Sequence, residues 1–558
     1  MPVLVAAGQR LPPRLAATIV LLRAGQSAPE VLLMRRGQSA LHFGGAFVFP
    51  GGLLENSDSQ PRVMRRVAGM TATQANQRLG VTAGGLGHWV AAVRECYEEA
   101  GILLALDEQS NPLSMQRLAR LTLLRAALNA REINFADLLE QEQLLIPAGQ
   151  IAYAAHWVTP PTQEHRFDTR FFVAVAPDCQ QVQHDNAELV ESLWLTPDAA
   201  LSRAKRNLMV LALPTQTLIS AMEKFSSPIA ALEHTQAMVR VPTVRPCVAQ
   251  GRNGPTIFRL GDPQYAEIHW VDPQEEGTSN YELQPGVAKP LDRYVTRVLA
   301  PNANVMTGPG TNCYLVGERD LAVIDPGPDD PVHIKAIVEA GAGRIRWILL
   351  THTHADHAPA AMALSVVTGA RIAGHPAPPA APHNANITFD RVLTDGELVQ
   401  LDGCALRAIY TPGHASNHIC YLLDPTRMLF SGDHVVQGFT VVIAPPDGNM
   451  RQYLQSLERL AAMDIAILAP GHGYLIGDAA DEMRRLIAHR LAREDKVRKA
   501  IVAVGGSATA QSLLPRVYAD VPVAIHPLAA RSLQAHLEKL LEDGELNYNS
   551  ENWTLSQS

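Results

Sequence analysis

The sequence predicts a multidomain protein that combines α/β and α+β folds. Its 558 residues exceed the roughly 100–200 residues of a usual domain. Apolar, strand-like runs alternate with helical patterns, as they do in layered α/β domains. Hydrophobic residues make up 47% of the chain and charged residues 18%, a composition that excludes extensive disorder. No internal repeat of about 20–50 residues indicates a solenoid, so we expect several ordered domains and more than one function.

Composition and local sequence also indicate the cellular compartment and the classes of partner to expect. The six cysteines show no CxxC spacing, which is typical of a reducing compartment and of structural thiols. No run approaches the ~18 apolar residues of a membrane span, and no basic residue precedes the apolar N-terminal stretch. We therefore expect a cytoplasmic protein without a membrane partner. The formal net charge of −8 gives no reason to expect tight nonspecific binding to nucleic acid. The oligomeric state stays open.

The first half begins with β-rich runs and continues to an acidic helix. Residues 17–22 and 31–34 are apolar runs separated by a Gly/Ser/Pro turn, which predicts a hairpin. A helix is expected over about 88–100, ending at Gly101, because glycine enters the left-handed conformation without strain.

Three glutamates near the end of this helix predict a cation site. Glu95, Glu98 and Glu99 are three and four residues apart, which gathers their carboxylates on one side. Magnesium or manganese would relieve their repulsion and bind a phosphate-containing substrate for attack by water. The alternative is an exposed acidic helix without a ligand.

The surrounding residues resemble the helical core of the Nudix box, REUxEExGU. Arg94 to Ile102 fit that core, FVFPGG precedes it, and VLLMRRG, RFDTRFF and LWLTPDAAL resemble the peroxisomal type of coenzyme A diphosphatase over about 10–220. The resemblance implies an α/β/α sandwich, catalytic and metal-binding Glu95, Glu98 and Glu99, and a supporting Arg94. Asp58 stands where the family has glutamate, and about 35 residues separate it from Arg94. Glu188 is a further candidate carboxylate.

The second half contains a much denser group of ligand side chains. An apolar strand, RWILL, runs into a loop that carries His352, His354, Asp356 and His357. Histidines two residues apart can direct their rings to one point, and Asp356 with His357 can reach a second. Imidazole and carboxylate suit zinc, and iron or manganese are alternatives. The loop therefore predicts two metal positions.

Four more residues complete this pattern, each at the end of an apolar run: Asp325, His414, Asp433 and His472. Their order and context resemble the metallo-β-lactamase superfamily and its αββα sandwich. The resemblance implies that His352, His354 and His414 hold one ion and that Asp356, His357 and His472 hold the other. It further implies that Asp433 bridges the two ions, that Asp325 supports the ligands, and that Asp356 orients the attacking water.

The C-terminal residues indicate a small further domain. A long helix carries seven basic residues, Arg484, Arg485, Arg490, Arg493, Lys496, Arg498 and Lys499. The tail that follows looks like a winged helix. With GPGTNCYLVG and the HRxxRE sequence at His489 to Glu494, it resembles the beta-lactamase-like protein 2 group, some members of which cleave RNA. The alternative for the basic helix is a solvated face.

These patterns divide the chain into a Nudix domain at 1–225, a connection at 226–289, a metallo-β-lactamase domain at 290–490 and a winged helix at 491–558. Within the connection, 256–260 and 266–271 are candidate strands. The first hypothesis is a two-headed hydrolase that acts on a small molecule such as a coenzyme A ester or a nucleotide. The second is an RNA-processing enzyme, in which the winged helix and the basic helix, with Arg490 and Arg493, guide RNA to the metal site. The third makes the Nudix half a sensor or scaffold that binds a nucleotide without cleaving it.

Overall fold

The computed structural model describes residues 11–38, 44–183, 189–378, 387–549 and 551–556. The chain divides into two units, Met1–Pro246 and Cys247–Ser558. Within the described residues, no helix combines the length and the apolarity needed to cross a bilayer.

The first unit is built from short strands and helices that alternate along the chain. Its strands are β1 Arg14–Arg23, β2 Glu30–Arg36, β3 Phe47–Val48, β4 Gly51–Leu53, β5 Val67–Ala68, β6 Ile146–Pro147, β7 Ala152–Val158, β8 Phe167–Val175, β9 Leu189–Leu195 and β10 Thr243–Val244. Its helices are α1 Pro61–Met64, α2 Ala72–Leu79, α3 Gly85–Glu95, α4 Met115–Asn129, α5 Phe135–Gln141, α6 Pro197–Lys205, α7 Leu213–Met222 and α8 Pro228–Ala237.

The main sheet of this unit is covered by helices on both faces. Its strand order is β10-β7-β8-β1-β2-β3, with β4 added to β1 and β9 added to β2. Strands β1 and β2 are antiparallel, which confirms the predicted hairpin. Ile19 and Leu21 pack into one core with α3, whereas Val20 and Leu22 pack into another with α6 to α8. The alternation of β1 thus builds the predicted α/β/α sandwich.

The acidic helix ends in an irregular turn. Helix α3 stops at Glu95 and continues as a single π-helical turn over Cys96–Ala100. Gly101 then takes a left-handed conformation with φ of 71°, which confirms the predicted stop. The indole N–H of Trp89 donates to the Ile151 carbonyl at 3.0 Å and anchors α3 on the sheet.

The second unit contains the remaining elements. Its strands are β11 Cys247–Gly251, β12 Gly254–Phe258, β13 Ala288–Pro290, β14 Val295–Leu299, β15 Asn312–Val316, β16 Leu321–Ile324, β17 Ile345–Leu349, β18 Arg371–Gly374, β19 Arg391–Val392, β20 Leu398–Leu401, β21 Cys404–Tyr410, β22 Ile419–Leu423, β23 Met428–Gly432, β24 Ile467–Pro470, β25 Ser507–Ala508, β26 Leu546–Asn549 and β27 Asn552–Leu555. Its helices are α9 Tyr265–Val271, α10 Pro331–Gly341, α11 Ala360–Thr368, α12 Met450–Ala461, α13 Ala479–Ala503, α14 Ala510–Val517 and α15 His526–Glu542.

Two sheets face each other in this unit. Strands β13 to β19 form one sheet and β20 to β24 the other. Tyr314 and Leu349 of the first sheet share a core with Tyr421 and Phe430 of the second. Helices α10 and α11 cover the outer face of the first sheet, and α12 and α13 cover that of the second. This is the predicted αββα sandwich.

The predicted connection at 226–289 is mostly folded. Helix α8 belongs to the first unit, and the β11–β12 hairpin belongs to the second with α9. Residues 254–258 form a strand, close to the predicted 256–260, but the strand predicted at 266–271 is wrong because these residues are helical. The helix places buried Glu267 against Arg297 and Lys289, which offsets the weak helix preference of Ile268 and Val271.

The C-terminal residues form the predicted winged helix, but its first helix is shared. Helix α13 is continuous through the predicted boundary at 491, and its end packs with α14, α15 and a three-stranded sheet of β25 to β27. Arg484, Arg485, Lys496 and Lys499 are exposed, as a solvated face requires. That interpretation is wrong for Arg490 and Arg493, which are 4% and 6% exposed.

Candidate active sites

The histidine-rich loop begins where two parallel strands end side by side. Strands β16 and β17 are parallel, so the residues that follow them lie at the same edge of the sheet. Asp325 follows β16 and accepts hydrogen bonds from the backbone N–H of Thr351 at 2.8 Å and from its hydroxyl at 2.6 Å. These bonds fix the start of the loop that carries His352 to His357.

The first group of candidate ligands is entirely imidazole. His352, His354 and His414 each have a ligand atom within 4.8 Å of the others. His354 Nδ1 lies 3.1 Å from His414 Nε2, although the two residues are 60 positions apart. The structure therefore brings together the three histidines predicted for one metal position.

The second group combines imidazoles and carboxylates. Asp356, His357, Asp433 and His472 also have ligand atoms within 4.8 Å of one another. His472 Nε2 lies 3.3 Å from Asp356 Oδ2 and 3.2 Å from Asp433 Oδ1. His357 Nε2 lies 3.2 Å from the same Asp433 oxygen.

Asp433 faces both groups with different oxygens. Oδ1 is directed to His357 and His472, whereas Oδ2 lies 3.7 Å from His414 Nε2. This is the geometry required of a carboxylate shared by two metal positions.

Several buried atoms at this site fit bound cations. Among the described residues, Nε2 of His352, His357 and His472 and Oδ1 of Asp433 are buried and form no well-aligned hydrogen bond. Buried polar atoms left in this state destabilise a fold. All four atoms point to one small region, and a nitrogen-rich donor set with carboxylates suits zinc.

In four of the five candidate histidines, an acceptor contacts the ring nitrogen that faces away from the proposed metal position. His357 Nδ1 lies 2.8 Å from Asp325 Oδ2, and His352 Nδ1 lies 3.0 Å from Thr351 Oγ1. His414 Nδ1 lies 2.9 Å from the Val442 carbonyl, and His472 Nδ1 lies 3.1 Å from that of Gly310. Such partners leave the opposite nitrogen for a metal. Sequence reasoning found Asp325 but missed Thr351 and the two carbonyls, since any residue supplies a carbonyl.

Charges in the site favour cations. Burial favours the neutral ring of His472, but Asp433 and Asp356 raise its pKa to about 9. Burial likewise opposes the charge on His357, yet the neighbouring carboxylates raise the pKa of this ring well above its usual value. Against burial, His472 and His357 hold the pKa of Asp433 well below its usual range. The carboxylates thus stabilise positive charge at the position where metal ions would lie.

One glycine is required for this close packing. A Cβ atom on Gly471 would lie 2.8 Å from both Asp433 Oδ1 and His357 Cε1. A larger residue would displace two candidate ligands.

In the first unit, the candidate acidic site is organised around Arg94. Its Nε and Nη2 donate to the two oxygens of Asp58 at 2.9 and 3.0 Å. Its Nη1 donates to Glu95 and to Glu98, each at 2.9 Å. Arg94 and Asp58 are 3% and 1% exposed, so this buried pair positions the two glutamates. Asp58 therefore contacts the arginine despite the long insertion.

The three glutamates do not converge as closely as the sequence suggested. Among the described residues, the groups whose ligand atoms lie within 4.8 Å of one another do not include them. Arg94 holds Glu95 and Glu98, whereas Glu99, on the π-helical turn, accepts a hydrogen bond from the Gly51 amide at 2.8 Å. Burial raises the pKa of Glu95 to about 7, against the opposing effect of Arg94. Glu188 lies outside the described residues.

Three family profiles match the chain in order. Residues 60–220 match the NUDT19 Nudix domain, residues 306–472 the Metallo-beta-lactamase superfamily, and residues 509–553 the Beta-lactamase associated winged helix domain.

Several curated relatives match about half of this chain. The lactamase-like protein aptB of Emericella nidulans is 31% identical over 51% of this chain and 92% of its own length. The atrochrysone carboxyl ACP thioesterase of Aspergillus chevalieri is 31% identical over 49% of this chain and 87% of its own length. The beta-lactamase-like protein 2 homolog of Caenorhabditis elegans is 28% identical over 46% of this chain and 86% of its own length.

Proposed function

The chain belongs to the metallo-β-lactamase superfamily, and from this premise we propose that its second unit is a thioester hydrolase with two divalent metal ions. His352, His354 and His414 would hold one ion, and Asp356, His357 and His472 the other. The orientation of Asp433, with one oxygen toward each group, is the observation that carries this proposal. A related sequence is a thioesterase, which supports a thioester as the substrate class.

Only part of the basic helix α13 is available to a nucleic acid. Phosphate recognition needs cationic side chains that can reach the phosphates, and Arg490 and Arg493 are buried. The other basic residues form ion pairs near the surface, which are weak. Each basic residue of α13 named above contacts an acceptor within the second unit. These acceptors are Asp481 for Arg484, Glu482 for Arg485, the Val441 carbonyl for Arg490, Asp520 for Arg493 and Lys496, Glu545 for Arg498, and Asp495 for Lys499.

The proposed reaction assigns separate roles to the metal ions and to Asp356. Two bound ions would lower the pKa of the attacking water and polarise the thioester carbonyl. The side chain of Asp356 is 27% exposed, so solvent reaches it, and it would orient the water and accept its proton. Water adds to the carbonyl carbon, the carbon–sulfur bond breaks, and the thiolate leaves and takes up a proton.

Acyl-coenzyme A tests this proposal, because it offers a thioester to the second unit and a pyrophosphate to the first. With zinc, the wild-type protein should release free thiol and a carboxylic acid, measured by a thiol reagent and by mass spectrometry. The His472→Ala variant should lose this activity, and an exposed substitution, Asp329→Asn, should keep it. Intact thioester after incubation with zinc, manganese or iron would contradict the proposal.

For the first unit, we propose magnesium- or manganese-dependent hydrolysis of a pyrophosphate bond. The match to a Nudix domain and the Arg94-centred group of carboxylates support it. A general base works best with a pKa near the operating pH, and burial gives Glu95 such a value, about 7.

A panel of coenzyme A and nucleotide diphosphates tests the first unit. With magnesium, we expect cleavage at the pyrophosphate, and Glu95→Gln should reduce the rate at least about 100-fold, the usual effect of losing a group in the acid–base step. Tight metal-dependent binding without turnover, unchanged in Glu95→Gln, would favour the sensor or scaffold instead.

A further inference from the structure

We propose that Arg490, in the HRxxRE sequence, is a positioning residue that connects the winged helix to the metal centre. It would act through the loop 441–443, and the proposal rests on the proposed role of His414 as a metal ligand. On this proposal, helices α13 and α15 hold one ligand ring in place.

The loop 441–443 contacts His414 directly. The Val442 carbonyl accepts the hydrogen bond from His414 Nδ1 at 2.9 Å. This bond sets the rotation of the ring and therefore the direction of Nε2, the atom that lies near His354 and Asp433. A movement of the loop would turn the ring away from its metal position.

Two residues from the C-terminal helices hold the loop on either side of Val442. Arg490 Nη2 of α13 donates to the Val441 carbonyl at 2.6 Å, and the bond is buried. The Ile443 amide lies 3.4 Å from Ser532 Oγ of α15, also buried. The carbonyl that orients His414 is thus flanked by one contact from each helix.

Arg490 also packs on the segments that carry two candidate ligands. Its guanidinium lies 5.3 Å from the ring centroid of Tyr453, and the Tyr453 hydroxyl donates to the His434 carbonyl at 3.0 Å, next to Asp433. A Cβ atom on Gly413 would lie 2.3 Å from Tyr453 Cα, so the backbone before His414 rests on the same residue. Arg490 and Tyr453 therefore support His414 and Asp433 together.

The surroundings of Arg490 argue against a purely stabilising role. Arg490 is 4% exposed, and among the described residues it forms no ion pair with a carboxylate. A buried guanidinium compensated only by a carbonyl and an aromatic ring is costly compared with an apolar side chain of similar size. The directional hydrogen bond to Val441 is what an apolar side chain could not supply.

Arg493 provides a matched control on the same helix. It is 6% exposed, and its guanidinium lies 4.3 Å from the ring centroid of Tyr518. Its hydrogen bonds go to the Val517 carbonyl and to Asp520, not to the loop 441–443. Replacing either arginine by methionine removes a buried guanidinium, but only Arg490→Met removes a contact to the loop.

Zinc affinity tests the proposal without any substrate. Chelator-treated full-length protein would be titrated with zinc against a chromophoric chelator, and with cobalt to record the ligand-field spectrum. In Arg490→Met, one of two zinc equivalents should bind about tenfold more weakly, the lower end of the range for a lost outer partner, and the cobalt spectrum should change. Arg493→Met should bind both equivalents as the wild type does, and Arg490→Lys, which keeps a donor, should recover most of the affinity.

Further variants separate the possible failures. If Arg490→Met does not fold, Ser532→Ala replaces it, and a smaller loss of zinc affinity in one equivalent is expected. Wild-type zinc affinity and cobalt spectrum in Arg490→Met, or in Ser532→Ala if that variant replaces it, would overturn the proposal. His414→Ala should lose one zinc equivalent. If it keeps both equivalents, the assignment of His414 as a ligand fails. If His414→Ala loses one equivalent but Arg490→Met binds zinc as the wild type does, only the positioning role of Arg490 is refuted.

Discussion

At the scale of single residues, the candidate metal centre depends on the support behind each ligand. Asp325 accepts three hydrogen bonds, from the Thr351 amide, the Thr351 hydroxyl and the His357 ring. Its backbone is left-handed, with φ of 50°, a conformation that asparagine and aspartate tolerate better than other non-glycine residues. The residue therefore combines an unusual backbone with a charged acceptor.

Asp325→Asn should weaken zinc binding 10–100-fold, as expected for an outer partner of a metal ligand. The substitution keeps a residue suited to positive φ but removes the negative charge that orients His357. Asp329→Asn, an exposed neighbour, is the control. Equal zinc affinity of both variants and the wild type, in competition with a chelator, would show that Asp325 has no part in metal binding.

The ligand side chains could be predicted from the sequence because their type and spacing are informative. His352 and His354 lie in one short loop, and His414, Asp433 and His472 each follow an apolar run. Their partners Gly310 and Val442 contribute only carbonyls, which carry no side-chain signal. The sequence makes Arg490 a candidate for guiding RNA, because its burial is visible only in three dimensions.

At the scale of secondary structure, the π-helical turn after α3 places Glu98 and Glu99 differently from an α-helix. Such turns are frequent at functional sites. Arg125 of α4 stabilises the backbone of this turn, because it donates hydrogen bonds to the Glu98 carbonyl at 2.8 Å and to the Glu99 carbonyl at 3.0 Å. A regular α-helix would bring the three glutamates together. The sequence pattern does not show that the last turn is π-helical and therefore wider by about one residue.

Gly101→Ala should destabilise the first unit more than Gly80→Ala. Both glycines end a helix with positive φ, which costs about 1–2 kcal/mol for other residues. A Cβ on Gly101 would also lie 2.9 Å from Arg125 Nη1, whereas nothing lies within 4 Å of one on Gly80. Urea unfolding followed by circular dichroism measures the difference; equal losses of stability would contradict the tight packing at Gly101.

Helix α15 contains a buried histidine that should make the protein sensitive to acid. Burial lowers the pKa of His536 from 6.5 to about 4. Between these pH values the unfolded chain takes up a proton and the folded chain does not, so stability is lost as the pH falls, by at most about 1.4 kcal/mol per pH unit. His536→Gln should therefore show a smaller loss between pH 7 and pH 5 in urea unfolding. An unchanged slope would contradict the proposed linkage.

At the scale of the whole molecule, each unit has its own hydrophobic cores, and the second unit includes residues that the sequence assigned to a connection. Glu267 of α9 is 1% exposed and pairs with Arg297 at 2.7 Å and Lys289 at 2.6 Å. It also accepts the Leu475 amide at 3.1 Å, three residues after His472. The polar composition and the many Pro and Gly residues of this segment are typical of a connection. The ion pairs that fold it join residues more than 20 positions apart, and composition does not reveal such pairs.

A fragment of residues 247–558 should therefore be more stable than one of residues 290–558. The shorter fragment lacks α9, and with it the ion pair between Glu267 and Arg297 and the packing of Trp270 and Val271 on the core between the two sheets. The loss of one member of a buried pair costs at most about 3–5 kcal/mol, a value reached when the remaining charge stays buried. Thermal unfolding of both fragments measures this difference, and the same midpoint for both would mean that α9 is dispensable.

The most direct test of the dinuclear centre is a count of bound zinc. Residues 247–558 would be stripped of metal, loaded with zinc, freed of excess ion and analysed by inductively coupled plasma mass spectrometry. We predict two equivalents in the wild type and one in each of His414→Ala and His472→Ala, because these residues belong to different ligand groups. One equivalent or none in the wild type, or two in both variants, would contradict a metal centre shared across Asp433.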